Sequence, residues 1–523
     1  MVCAATNPLK PIAAGCRVTV PAGTGHETRK WFIRVWRVRT WDGYEPQAHC
    51  NCVCNEIVAI RNRVTGAVPQ PTVEGLRLLR RTARSIKRYL PRVAPVTFEA
   101  VCSKYSGAKR ARYTQAAHYS RGGLCKADAR IKMFCKTEFF NPLRKNRPDP
   151  RAIQFRDPKF GVWIARWLFP MEHYLYNLHG NGKILPDTRL IGKGLSQRGR
   201  AALFLRKWRK FEDPVCVSLD ASRFDQHVSR KLLQIEHGYY LHMNSDREFQ
   251  RLCSWQLRNI GRSMNGVRYK TDGRRMSGDM NTALGNCVLM VTMVAACMRG
   301  KKYEMLDDGD DCLLIVERSL LKWVIDNVPR IFLLFGMELK IENISDSIEG
   351  VEWCQCHPVQ TGDGSWTFVR NPVKVMTQSL TGVKYFQGDR RKLVNSIGHA
   401  ELALNAGVPV LQEFALALIR NADTVKLMRC MPDDPLFYRL GRHLRAEGLN
   451  FGYVKAIPVT NRARWSYAKA FGVSIPRQLA MERFLKHATF PVNGIIGEAR
   501  ACNTDDWFVG CSHSAEASPH WDL

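Results

Sequence analysis

Two pairs of aspartates stand out in the 523-residue chain by their type and setting. Asp310 and Asp311 follow Gly309 in the stretch Met305–Val316, an acidic knot with apolar residues on both sides. Asp220 closes the β-rich run Val215–Leu219, and Asp225 follows five residues later at the start of an amphipathic segment reaching Met243. Adjacent carboxylates repel, and keeping them ionised beside an apolar sheet costs free energy unless a cation lies between them. Hard oxygen donors suit Mg²⁺, which takes one or two carboxylates together with substrate phosphates. The chemistry that suits such residues is nucleotidyl transfer. It uses two Mg²⁺ about 3.5–4 Å apart, one activating an attacking 3′-hydroxyl and one holding a triphosphate. A Gly-Asp-Asp tripeptide alone equally fits a solvated turn, so the reading depends on the elements that would bring the carboxylates together.

Those elements are written in the hydrophobic pattern. Cys312–Val316 reads as a buried strand, and with the apolar residues before Asp307 it forms a hairpin that carries the carboxylates at its tip. A strand over 215–219 that delivers an Asp at its carboxyl end places it where α/β sheets usually keep function. The turn at Ser277-Gly278 opens into a helix, because Leu284, Cys287, Val288, Val291 and Val294 recur at helical spacing. Thr282 and Asn286 share a face of that helix, and polar groups turned inward need partners. Upstream, residues 126–138 and 150–158 alternate apolar and basic residues, as two strands with one cationic face would. A groove lined by Lys132, Lys136, Arg151 and Arg156 suits a triphosphate, though a solvated strand face has the same pattern. Helices are expected over 74–92, with a basic outer face, and over 320–335, ended by Gly336. Short strands are expected at 337–341 and 352–356, and mainly helix after Pro372, with a basic cluster at Arg439–Arg445 and a polar tail from Ser512.

A hydrophobic content of 45% supports a sizeable core and excludes a disordered chain. A net charge of +32 calls for a polyanionic partner, and its spread along the whole chain favours nucleic acid over a membrane surface. Trp31, Phe32 and Trp36 interleaved with Arg29, Lys30, Arg34, Arg37 and Arg39 suit a single strand held by charge and stacking, or a half-buried strand. The longest apolar run, Cys287–Met298, is well short of the about 20 residues of a membrane span. Residues 1–21 carry no signal-peptide pattern. Cysteines such as Cys216, Cys287, Cys297 and Cys312 sit inside apolar runs, which points to reduced core thiols in a cytosolic setting. In His49–Cys54 the alternate thiols are expected on one strand face, with no second Cys/His pair at zinc-finger spacing.

Three longer stretches carry a resemblance. Asp-Ala-Ser-Arg-Phe-Asp-Gln-His (220–227), Arg-Met-Ser-Gly-Asp-Met-Asn-Thr-Ala-Leu-Gly-Asn (275–286) and Gly-Asp-Asp-Cys (309–312) resemble motifs A, B and C of viral RNA-dependent RNA polymerases. The resemblance is strongest to the Tombusviridae and tombus-like, carmovirus-type viruses. It extends to Val96-Thr97-Phe98, Tyr105-Ser106-Gly107, motif F at Pro150–Pro158 and motif E at Glu352-Trp353-Cys354-Gln355, and covers most of the chain from about residue 30.

The resemblance implies an α+β right-hand polymerase of fingers, palm and thumb, with an antiparallel palm sheet flanked by helices. The expected divisions are an N-terminal extension at 1–70, fingers at 71–214 with motif F in 126–158, palm at 215–375 with a fingers insertion near 244–274, and thumb and tail at 376–523. Asp220, Asp310 and Asp311 would hold two Mg²⁺, with Mn²⁺ able to substitute. Asp225 and Asn286 would read the ribose 2′-hydroxyl, with Ser277 and Thr282 nearby. Lys136, Arg151 and Arg156 would meet the incoming triphosphate, Lys132 and Gly278 the RNA, and Lys340 would be the motif D general acid.

Implied partners are an RNA template and product, NTPs, and an upstream membrane-anchored viral replication protein. The implied setting is the host cytoplasm, in membrane-associated replication complexes, with no anchor in this chain and with de novo initiation. Two departures stand out: Asp307-Asp308 where the family often has uncharged polar residues, and Trp353 where phenylalanine is expected. A reverse transcriptase shares the palm and metals but blocks the 2′-hydroxyl with a bulky side chain, whereas Asp225 and Asn286 are polar. A basic RNA-binding protein without catalysis would explain the charge and leave the acidic hairpin without a purpose.

Overall fold

Alternation along two apolar strands builds the central layer. Val217, Leu219, Cys312, Leu314 and Val316 recur every second residue and face one core, shared with the helices Val73–Lys87, Pro158–Tyr176, Arg230–Met243, Thr282–Cys297 and Arg318–Leu334. The computed structural model describes residues 2–22, 33–34, 47–142, 147–379, 381–382, 390–422 and 454–489. They form two compact units, one drawn from Met1–Lys30, Gln47–Phe140 and Lys145–Pro358, the other from Trp31–Pro46, Asn141–Arg144 and Val359–Leu523.

In the first unit the central sheet has four antiparallel strands in the order Glu304–Asp307, Asp311–Glu317, Pro214–Ala221, Leu339–Ser345. The expected acidic hairpin is its first pair, and the expected 215–219 strand is its third member. Helix Thr282–Cys297 is buried at every residue from Leu284 onward, as a helix apolar on all sides must be. Helix Val73–Lys87 is capped by the Thr72 hydroxyl, which accepts from the Gly75 amide at 3.0 Å. Gly75 has to be glycine there, since a Cβ would stand 2.0 Å from the Leu334 carbonyl oxygen. This helix stops at Lys87, short of the expected 92.

A second sheet of five strands has the order Arg17–Thr19, Arg268–Asp272, Arg258–Ser263, Ile131–Cys135, Ala152–Phe155. Its last two strands are the expected cationic pair, antiparallel with Lys132 opposite Phe155 and Cys135 opposite Ala152. Two expectations are corrected. Residues 352–356 make a turn rather than a strand: Cys354 and Gln355 take positive φ (52° and 61°), and a bridge joins Trp353 to Cys356. The cysteines of His49–Cys54 do not lie along a strand, because a helix starts at Val53 and contains Cys54.

The second unit holds the strand Trp366–Arg370 and the helices Pro372–Gln378, Arg390–Asn405, Leu411–Asn421, Asn461–Phe471 and Ile475–His487. Val375, Phe414, Leu418, Tyr467 and Met481 form its core. Most of the aromatic and basic stretch at 29–39, the cluster at Arg439–Arg445 and the tail from Ser512 lie outside the described residues. Among the described residues, no helix is long and apolar enough to cross a membrane.

Candidate active site

Strand register brings the acidic residues together. Asp311 lies directly opposite Asp220 on the neighbouring strand, and Lys340 lies opposite Asp220 on the other side. The turn between the hairpin strands is closed by the Asp308 amide on the Asp311 carbonyl at 2.9 Å, and Gly309 supplies the φ of +110° that it needs. The Ala221 amide donates to the Asp310 carbonyl at 3.1 Å, which ties the hairpin tip to the end of the Asp220 strand. Burial, then the charges of Asp310 and Asp220, push the Asp311 carboxyl up to about 7. Three half-buried carboxylates thus crowd one sheet end. An all-oxygen donor set of this kind fits a hard divalent cation. Lys340 is exposed, with its Nζ 3.9 Å from Glu342.

The extra acids of the hairpin carry little of their charge to the tip. Asp308 forms ion pairs with Lys193 and with Arg200, the latter at 3.1 Å. Asp307 is wholly buried, and that burial raises its carboxyl well above the usual range. The Trp353 Nε1 donates to the Asp311 carbonyl at 3.2 Å, a bond that phenylalanine has no hydrogen to make. Arg200 lies over the same indole, 4.9 Å from its centroid.

Beside the carboxylates runs a buried relay. The Asn286 Nδ2 donates to the Asp225 carboxylate at 2.9 Å, and Arg275 Nε donates to the Asn286 Oδ1 at 3.0 Å. The Arg275 guanidinium then grips both oxygens of Glu236, which also accepts from Tyr240 and Asn281, each at 2.8 Å. Gly285 makes room for this pair, since a Cβ would stand 2.2 Å from the Glu236 Oε1. Burial raises the Asp225 carboxyl while the Asn286 hydrogen bond and Arg275 act against it; Asp310 and Arg151 are near enough to influence it too.

The motif B turn clamps the cationic strand pair. The Ser277 hydroxyl donates to the Ala152 carbonyl at 2.8 Å and accepts from the Gln154 amide at 3.0 Å. The Gly278 amide donates to the Gln154 carbonyl at 2.7 Å, where a Cβ would approach that oxygen to 2.6 Å. Thr282, the first residue of its helix, ties back to the turn, its hydroxyl donating to the Met276 carbonyl at 2.8 Å.

The family described as viral RNA dependent RNA polymerase matches residues 32–493. The chain belongs to that family. Among viral polymerase relatives, the RNA-directed RNA polymerase of Groundnut rosette virus (strain MC1) is 36% identical over 75% of this chain and 46% of its own length. Those of Tobacco necrosis virus (strain D) and Turnip crinkle virus are each 34% identical, over 79% and 76% of this chain and 58% and 52% of theirs. The chain thus spans about half the length of the curated relatives it matches.

Within this chain the expected site residues divide into groups. Asp220, Asp310, Asp311 and Lys340 meet at one sheet end, and Asp225 and Asn286 are hydrogen-bonded. Lys136 and Arg151 share Glu138, Arg151 at 3.4 Å, and Lys132 is exposed on the same strand pair. Arg156 does not join them. It is 6% exposed and gives its donors to Asp279 (2.7 and 3.0 Å), the Ala129 carbonyl (2.6 Å) and Asn259 (2.7 Å). Glu236, Arg275, Lys193 and Arg200 escaped the sequence reading. Glu236 occupies an inward position of an amphipathic helix, and a charge at such a position is the one local signal that pointed to a buried partner.

Proposed function

We propose that this chain is the polymerising portion of a viral replication enzyme, which copies an RNA template from NTPs by nucleotidyl transfer. The observation that carries the reading is the meeting of Asp220, Asp310 and Asp311 on adjacent strand ends, with Asp311 pushed up to about 7 by burial and then by the charges of Asp310 and Asp220. When bound there, two Mg²⁺, with Mn²⁺ able to substitute, would activate the 3′-hydroxyl and neutralise the triphosphate. The protein's own part is positioning and charge. Lys136 and Arg151 bind the triphosphate, while Lys132 and Gly278 contact RNA. Lys340 Nζ delivers a proton to the departing pyrophosphate. Asp225, held by Asn286, accepts the hydrogen bond of the ribose 2′-hydroxyl, with Ser277 and Thr282 shaping the turn beside it. Arg156 acts indirectly, by holding Asp279 and with it the Ser277-Gly278 turn.

The reading includes a right hand with fingers at 71–214, palm at 215–375 and thumb from 376, de novo initiation, and work beside a membrane-anchored viral replication protein in cytoplasmic complexes. Primer-independent incorporation of NTPs on an RNA template is the deciding assay. Incorporation of dNTPs alone would make the chain a reverse transcriptase, and RNA binding without incorporation would make it a binding protein.

Two further outcomes follow from this reading. RNA affinity should show little sequence preference, and log K should fall linearly with log salt, by about 0.7 per neutralised phosphate on a single strand. A flat plot would mean that the +32 charge is only solvated surface. Asp225→Ala should lower rNTP incorporation roughly 10- to 100-fold more than dNTP incorporation, because a hydrogen bond to a charged group contributes about 1.5–3 kcal/mol. Equal losses for both sugars, with a lowered Tm, would leave Asp225 a structural residue.

A further inference from the structure

Four thiols converge where the N-terminal segment meets the helix Val53–Ile60, in a part of the molecule that the polymerase reading leaves unused. The sulfur of Cys52 lies 3.8 Å from that of Cys3 and 3.4 Å from that of Cys50. The sulfurs of Cys3, Cys52 and Cys54 all lie within 4.8 Å of one another. A disulfide would need about 2.05 Å between its sulfurs, which the two Cys52 distances far exceed. Sulfurs around a tetrahedral zinc at about 2.3 Å stand roughly 3.8 Å apart, which is the distance between Cys3 and Cys52.

We propose that Cys3, Cys52 and Cys54 form a structural site for one Zn²⁺, with the Cys50 thiol, turning in from its place beside Cys52 and the Val2 carbonyl, as the fourth donor. The backbone around them is fixed in advance. Asn55, wholly buried, accepts from the Ala4 amide at 2.7 Å and donates to the carbonyls of Val2 and Cys50 at 2.9 and 2.8 Å. That clasp holds Cys3 against the Cys50–Cys52 segment. Cys52 is the N-cap of the helix and Cys54 lies in its first turn, where the positive end of the helix dipole favours thiolates. Cys50 and Cys52 are buried while Cys3 and Cys54 are half-exposed, so a cation has a way in.

The competing reading is that these are small apolar core residues. Burial does raise the Cys52 and Cys54 thiols, so without a cation these two stay protonated. Zinc would displace their protons, and its binding would then weaken as pH falls. The site also has a structural consequence. Asn51, between Cys50 and Cys52, accepts from the Cys135 amide at 2.6 Å, and Cys135 ends the strand that leads into Lys136. A cation there would brace the N-terminal segment and the end of the cationic strand together.

The test uses the whole 523-residue chain, purified under reducing conditions without chelator. Elemental analysis should find about one zinc per chain, and Co²⁺ in its place should show sulfur-to-cobalt charge-transfer absorption of a tetrahedral thiolate site. Cys3→Ser and Cys52→Ser should each lose the metal and that absorption. Cys125→Ser, at an exposed thiol outside the cluster, should keep both. Wild-type protein that takes up no zinc and gives no thiolate–cobalt band on titration would overturn the site, whether or not the serine variants fold. So would an unchanged cobalt spectrum in folded Cys52→Ser, or a disulfide between two of these cysteines in the isolated protein.

Discussion

Asp310→Asn should reduce NTP incorporation by at least ~10³-fold while leaving RNA affinity within about twofold, because a metal-held charge supplies several kcal/mol and each 1.4 kcal/mol is about tenfold in rate. The substitution is nearly isosteric. The contact that fixes the hairpin tip, from the Ala221 amide to the residue 310 carbonyl, is made by the backbone and survives it. What changes is one negative charge in a site where charges already crowd, since Asp310 helps to push the Asp311 carboxyl up. Affinity for RNA rests on lysines and arginines elsewhere, so it should not follow the loss of turnover. Incorporation on a template and RNA binding measured on the same preparations check both halves. Near-normal turnover at ordinary Mg²⁺ would remove Asp310 from the catalytic centre.

Buried regular elements were the legible part of this chain, and contacts between distant segments were not. The strands around Asp220 and Asp311 and the helix from Thr282 announce themselves because burial leaves a period in the sequence. The turn at 352–356 was misread because Trp353, Cys354 and Cys356 look like strand residues, while the two positive φ values that make it a turn fall on non-glycine residues.

Arg156 teaches a different lesson, since its parity was available all along. Arg151 and Arg156 are five positions apart, an odd number, so an extended chain sends them to opposite faces, whereas Lys132 and Lys136 share one. Counting along the strand would have turned Arg156 inward. No such count finds Lys193 and Arg200 beside Asp308, or Cys3 beside Cys52, because nothing local links those positions.

The relay behind Asp225 gives the second large effect. Arg275→Met should cost about 3–5 kcal/mol of folding stability, because it leaves Glu236 buried without its cation. The effect has a pH signature. In the native chain burial raises the Glu236 carboxyl, but Arg275 outweighs it and the net shift is downward. The stability from the pair is therefore present above the ordinary carboxylate pKa and is lost as pH falls through the lowered folded value. Without Arg275 the upward pressure of burial, the largest cause, is opposed by the lesser pulls of His237 and the Tyr240 hydrogen bond. The variant is then least stable at neutral pH and gains as pH falls towards about 4.3, where the unfolded carboxyl also takes up its proton. The stability gap between the two proteins should narrow on acidification.

Adding Glu236→Gln to Arg275→Met removes the stranded charge and keeps an oxygen for Tyr240 and Asn281, so more than half of the lost stability should return. Sugar selection should not return with it. Asn286 still lacks the Arg275 Nε that fixes its amide, so its hold on Asp225 stays loose and the rNTP preference stays reduced. Thermal melts across pH, with paired rNTP and dNTP rates, separate the two effects. A single variant that melts like wild type, or a double variant that regains the full preference for rNTPs, would mean that the relay from Glu236 to Asp225 does not govern the sugar.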